Sequence, residues 1–531
     1  MSRFTAVLSR SFRSRFFIGT LAVAVASGYV LFARLSQAQL AGPRPDDRNI
    51  TVAITRLLAK EHLTRHPLDN EIAGRWMTNF LKMLDPRKVF FSQADIDGFM
   101  KYRDQLDDMA LKGDTSFAYL VFNTFLARLD DRVKLIDELL PMKHDFTVDE
   151  DLITDPDLIS YAKDDAEMRD RWRQRLKYEM LDLASEKPKP EPNASGVVPR
   201  QDVGETKFKL DSQASHEKIS KRYHHLVKRM KQTEPDELLE MYLTALTMSY
   251  DPHTSYMSPT SQENFDIQMR LNLEGIGAAL EAPEGETIVK KVIPGGAAAK
   301  DGRLKPDDKI VGVGQGQEGP IVDVNDMKLN NVVKLIRGHQ GTTVRLAVVP
   351  KGETDAKIYN IVRQQVELTD SEARSVILEA GKKPDGAAYK IGVINLPSFY
   401  MDMTGNRAGR EDFKSATRDV ARLLKDFNSQ KVDAVVIDLR WNGGGSLIES
   451  INMTGLFIDV GPVVQVKDFD GQKMLYEDNE RGVSWAGPLV VLTSKYSASA
   501  SEIFAGAIQD YRRGLVVGDA STHGKGTVQT L

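Results

Sequence analysis

Between residues 50 and 185 apolar side chains return every three or four positions, with charged residues filling the opposite face. I-T-R-L-L-A-K-E-H-L (54–63) and F-A-Y-L-V-F-N-T-F-L-A-R-L (117–129) are the clearest stretches. That period predicts amphipathic helices, and helices are expected again over 215–250. The polar, Pro-rich stretch E-K-P-K-P-E-P-N-A-S-G from Glu186 reads as a linker or loop over 186–205. From about residue 266 the pattern changes to short apolar runs broken by Gly, Pro and Asp, as strands and turns require. V-D-A-V-V-I-D-L (432–439) is nearly continuous and fits a buried parallel strand. A helix is expected from Ser446. Another is expected from Ala500, where Ile503, Phe504, Ala507 and Ile508 keep helical spacing. L-V-V-G (515–518) reads as a short strand. The chain is therefore a multidomain α+β protein. Its parts are a helical domain over 45–250, a connector over 251–265, a β-rich domain over 266–352 and an α/β domain over 353–531.

The composition narrows the class. The chain has 531 residues, long enough for three or four domains, and is 41% hydrophobic and 27% charged. A net charge of −4 argues against nucleic acid as the main partner. Without cysteine there is no disulfide, zinc–thiolate or thiol-nucleophile chemistry. Arg3, Arg10, Arg13 and Arg15 precede an apolar run from Phe16 to Ala33, and S-Q-A ends at Ala38. This reads as an export segment over 1–38, either a cleaved signal peptide or a retained membrane anchor. The rest would face a periplasm.

The candidate chemistry lies near the C-terminus. K-Y-S-A-S-A-S-E places Ser497, Ser499 and Ser501 where a helix starts, among small residues that leave a hydroxyl accessible. The free N–H groups of a first helical turn favour negative charge there. Serine needs a base. G-D-A-S-T-H-G-K-G supplies Lys525, and a lysine buried among apolar groups can lose its proton near neutral pH. Gln529, four residues on, would share a strand face with Lys525 and orient its amine. The residues alone do not choose among the three serines. A phosphate loop is excluded because five residues separate Gly518 from Gly524 and Gly526 replaces the metal-binding Ser or Thr. His523 as the base of a Ser-His-Asp triad is the main catalytic rival. R-W-N-G-G-G-S-L, between the 432–439 strand and its helix, can expose N–H groups to an oxyanion.

These segments resemble the C-terminal processing (tail-specific) serine proteases. M-L-D-P-R-K-V-F-F (83–91) resembles the helical N-terminal domain of their long form, and D-P-H-T-S-Y (251–256) their connector. I-V-K-K-V-I-P-G-G-A-A-A-K-D-G-R-L-K-P-D-D resembles their circularly permuted PDZ domain. The resemblance implies a protease core of ClpP/crotonase-like type. It implies Ser499 as nucleophile, Lys525 as base and Gln529 beside it, with Asp510 as an accessory residue. One oxyanion donor would be Gly444 or Gly445, a choice left open, and the other Ala500. Gly275, Ile276, Gly277 and Ala278 would bind the substrate's terminal carboxylate, with Val332, Val333, Leu335 and Ile336 walling the groove. No metal, nucleotide or other cofactor is implied. Partners would be proteins or peptides with free, apolar C-termini, with room for an adaptor protein. The rival function is a non-catalytic PDZ adaptor or an inactive fragment. T-V-Q-T-L ends the chain six residues past Lys525, where the family continues, so a truncated, weakly active member is expected.

Overall fold

The computed structural model describes residues 40, 42–185, 209–468 and 470–526. The export segment, the Pro-rich stretch and Gln529 lie outside the described residues. The chain divides into two compact units, one of residues 1–44, 88–96 and 116–238, the other of residues 45–87, 97–115 and 239–531. The helices expected over 45–250 are thus shared between them. In the first unit the long helices Ser116–Leu139, Asp165–Ser185 and Gln213–Lys231 close on a core of Ile136, Trp172, Leu176 and Ile219. The Trp172 indole N–H is satisfied by the Val89 carbonyl at 3.0 Å. In the second, the helix Asn70–Leu84 is started by Asp69, whose carboxylate accepts from the N–H groups of Glu71 and Ile72. It buries Trp76, which donates to the Tyr242 carbonyl at 2.8 Å. Among the described residues no helix is long and apolar enough to cross a membrane.

The β-rich domain is a sheet in the order β2-β3-β4-β6-β7, with β5 on β4. The strands are β2 (Ala278–Glu281), β3 (Thr287–Val292), β4 (Lys309–Gln315), β5 (Ile321–Asp323), β6 (Thr343–Val349) and β7 (Lys357–Val362). The sheet thus runs beyond residue 352. The strand before it, β1 (Asn272–Gly275), pairs instead with β8 (Gln364–Glu367). Among the described residues no strand pairs with the outer edge of β2.

The α/β domain holds a five-stranded sheet, β15-β14-β11-β10-β9, and a separate antiparallel pair, β12 (Gly461–Lys467) with β13 (Lys473–Asp478). Strands β10 (Tyr389–Asn395), β11 (Ala434–Asp438), β14 (Leu489–Thr493) and β15 (Leu515–Gly518) are parallel, and β9 (Arg374–Ala380) runs antiparallel to β10. Within the run at 432–439, β11 is flanked on both sides by parallel strands; Val435 and Ile437 enter the core, while Ala434 and Val436 on the other face are half-buried. The helix Ala416–Ser429 buries Val420, Leu423, Leu424 and Phe427 at helical spacing. Gly392 on β10 makes room for Phe427: a Cβ there would lie 2.4 Å from its ring. Glu449, on the helix Leu447–Gly455, is buried and accepts from Ser415 Oγ and the Thr417 N–H, tying two helix starts together. Burial pushes its carboxyl above the ordinary range despite those donors.

Candidate active site

Two loops leave the carboxyl ends of adjacent parallel strands, where open α/β sheets place their crevices. Residues 439–445 follow β11 and residues 494–499 follow β14. The serines lace them together. Ser497 Oγ donates to the Leu439 carbonyl at 2.7 Å and Ser501 Oγ to the Asn442 carbonyl at 2.9 Å, and both serines are fully buried. Ser494 Oγ donates to the Arg440 carbonyl, and the Ala498 N–H to that of Asn442. Ser499 differs. It is half-buried and precedes the helix Ala500–Asp510 with φ 56° and ψ −117°. A side chain in that region costs about 1–3 kcal/mol unless its surroundings hold it there. They do. Glu502 Oε2 accepts the Ser499 N–H at 2.7 Å, and the Ser499 carbonyl accepts from Glu502 and Ile503 at 2.8 and 3.0 Å.

Gly444 is pressed against this turn. Its φ is 108°, and a Cβ there would lie 2.8 Å from Ser499 Cβ and 2.9 Å from the Ala498 carbonyl. Gly445 has φ 144°, and a Cβ would meet the Phe399 carbonyl at 2.4 Å. The Gly444 N–H donates to Asn442 Oδ1 at 2.8 Å, so of the two glycines left open as oxyanion donors Gly444 is already engaged. Gly444 acts here through the space it leaves. Among the described residues the N–H groups of Gly445 and Ala500 donate to no acceptor. Asn442 was not singled out in the sequence. It is fully buried and pins the loop from both ends of its amide, donating also to the Leu396 carbonyl at 3.0 Å.

The loop bearing Lys525 is fastened to the same helix start. Glu502 Oε1 accepts from Thr522 Oγ1 at 2.7 Å and the Gly524 N–H at 2.6 Å, and Oε2 from the Lys525 N–H at 3.0 Å. Burial raises the Glu502 carboxyl, but the hydrogen bonds from Thr522, Gly524, Ser499 and Lys525 together outweigh it and hold it below the ordinary range. Asp519 accepts the Lys495 N–H, and Ser497 the His523 N–H. The backbones of Ser499 and Lys525 are thus brought together. The Lys525 side chain is exposed, and residues 521–526 form no strand. The expected burial of the amine is not provided by the described residues. The exposed His523 ring lies 6.1 Å from that of His253 and bonds to no serine. Asp510 is exposed at the far end of the helix, about 16 Å along its axis from Ser499. The structure does not bring it to the site.

In the β-rich domain, Ile276 and Gly277 turn the chain from β1 into β2. Their carbonyls accept from Ala298 and Ile293 at 2.7 and 2.8 Å, while their own N–H groups have no acceptor among the described residues. Gly277 has φ 75°, and a Cβ would lie 3.0 Å from Gly296 Cα. Val332 and Ile336 anchor the neighbouring helix in the core, leaving Val333 and Leu335 half-buried. Arg337, not singled out in the sequence, donates to Asn264 Oδ1 at 2.8 Å, and a Cβ at Gly275 would lie 3.8 Å from its Cγ.

Comparison with known proteins matches three family models in succession along the chain. Residues 54–260 match the tail-specific protease N-terminal domain, residues 264–349 the PDZ domain and residues 390–531 peptidase family S41. The chain belongs to the tail-specific proteases. It is 34% identical over 480 residues to the tail-specific protease of Haemophilus influenzae, covering 90% of this chain and 63% of that protein. It is 30% identical over 335 residues to the carboxy-terminal processing protease CtpA of Bacillus subtilis, covering 62% of each. The chain therefore spans less than two thirds of the length of these relatives. Among solved structures, the PDZ domain of a carboxy-terminal protease from Vibrio cholerae in complex with peptide is 40% identical, with 18% of this chain and all of that one covered and a TM-score of 0.18.

Proposed function

We propose that this tail-specific protease chain is a serine endopeptidase that captures free, apolar C-terminal tails of exported proteins. The basic then apolar segment before Ala38 supports export to a periplasm. The unengaged N–H groups of Ile276 and Gly277 receive the terminal carboxylate, and the open edge of β2 pairs with the peptide. Ser499 Oγ then attacks a carbonyl carbon upstream. Its proton passes to the Lys525 amine, which Gln529 orients, and from there to the leaving nitrogen as the C–N bond breaks. The N–H groups of Ala500 and Gly445 stabilise the oxyanion. Water hydrolyses the resulting ester. The observation that carries this reading is the contrast among three serines: two donate to buried carbonyls, and the third is held in a strained turn against Gly444. A labelled serine-directed phosphonate, followed by mass spectrometry, should mark Ser499. Labelling of Ser497 or Ser501 in its place overturns the assignment.

A further inference from the structure

Of the four tryptophans, Trp76 and Trp172 are fully buried and Trp485 is 5% exposed, whereas Trp441 is 74% exposed. Its ring stacks on Tyr496, 51% exposed, with centroids 5.0 Å apart and planes 16° from parallel. The Lys495 ammonium lies 5.3 Å from the centre of the Tyr496 ring. The backbone on either side of both rings belongs to the laced loops. Arg440 and Asn442 carbonyls flank Trp441, and Ser494 Oγ, Ser497 Oγ and the Ala498 N–H flank Tyr496. The rings are therefore carried on a fixed rim while their neighbours turn inward, and neither ring belongs to the core of the α/β domain.

Gly444 stands three positions after Trp441, and Ser499 three positions after Tyr496. Three residues of extended chain reach about 10 Å. The stack thus stands within about three substrate residues of any bond presented to Ser499. A preformed pair of flat rings binds another ring or a large apolar group at small cost in conformational entropy. Lys495 places positive charge beside the rings. This disfavours a cationic side chain there.

We propose that the Trp441–Tyr496 stack is a specificity subsite. It takes an aromatic or large apolar side chain of the substrate within three residues of the bond cut at Ser499. The proposal rests on the peptidase reading of the site.

The test uses the full chain with Ser499→Ala, so that bound peptide is not cut. Peptides are amidated at the C-terminus, which keeps the Gly275–Ala278 loop out of the measurement. They carry Phe or Ala at each of six positions around a bond flanked by apolar residues. Because Trp441 is the exposed tryptophan, iodide quenching reports on its face. Phe at one or two positions should lower the quenching constant at least twofold, and Ala at none. With fluorescein-labelled peptides, Trp441→Ala should weaken the Phe peptide about tenfold and leave the Ala peptide unchanged, and Trp441→Phe should restore it. Equal shielding by Phe and Ala peptides overturns the proposal, as does a Phe preference that survives Trp441→Ala. Shielding that grows with protein concentration in the absence of peptide also overturns it, in favour of a second copy of the chain. Phosphonate labelling of the chain with Ser499 restored separates the two ideas. Phe-selective shielding without labelling at Ser499 sinks the peptidase reading and leaves the stack as a peptide-binding site.

Discussion

Ser499 and Lys525 donate their backbone N–H groups to one and the same oxygen, Glu502 Oε2, at 2.7 and 3.0 Å. One carboxylate thus sets the strained turn of the proposed nucleophile and the path of the loop that carries the proposed base. Its other oxygen takes Thr522 Oγ1 and the Gly524 N–H. Glu502→Gln keeps the shape but turns an NH2 group towards two of four donors. Hydrogen bonds to a charged group contribute about 1.5–3 kcal/mol each, so cleavage should fall about tenfold or more while far-UV circular dichroism is unchanged.

The same carboxylate gives a pH dependence. Its carboxyl is held below the ordinary range in the folded protein. The stability it contributes is therefore fully present above its unfolded-state value, about 4.3, and is lost as pH falls through the lower folded value. Urea unfolding of the wild type and Glu502→Gln should differ most near neutral pH and converge in acid. A difference that grows on acidification would show the sign to be wrong.

The dyad separates from a histidine triad by substitution. Lys525→Ala and Lys525→Arg should both abolish cleavage, since arginine stays protonated. His523→Ala and metal chelators should leave it intact, because the His523 ring is exposed and makes no hydrogen bond to a serine among the described residues. An inactive His523→Ala beside an active Lys525→Ala would install the triad instead.

Gly444 is tested by one methyl group. At φ 108°, alanine is strained by about 1–3 kcal/mol, and its Cβ would lie 2.8 Å from Ser499 Cβ. Gly444→Ala should therefore displace Ser499 and lower kcat about tenfold to a hundredfold, with a smaller effect on KM. A loss confined to KM would place Gly444 in binding.

The proposed capture by the β-rich domain should depend on a free carboxylate. Amidating the last residue of an apolar tail leaves the N–H groups of Ile276 and Gly277 without a charged acceptor. That should weaken binding about tenfold or more, read by fluorescence anisotropy. Equal affinity for free and amidated tails would remove this loop from recognition.

Much of the architecture is local and was readable as such. Helical spacing at Ile503, Phe504, Ala507 and Ile508 marked the helix that begins at Ala500, and the apolar run around Val435 and Ile437 marked a strand flanked on both sides. Periodicity reports which face of an element is buried, and burial of a face is decided within a few turns of chain. The motifs around Ser499, Gly444 and Gly277 were likewise short enough to stand out. What the sequence could not decide was which hydroxyl is available. The partners of Ser497 and Ser501 lie 58 and 59 residues upstream, in the loop after β11. Nor could it show that Asn442 holds the Gly444 N–H, that Glu502 joins two loops through four donors, or that Trp441 stacks outward on Tyr496. Hydrogen-bond saturation and exposure are properties of what the rest of the chain places around a group, and only the folded arrangement of both loops at the ends of β11 and β14 determines them.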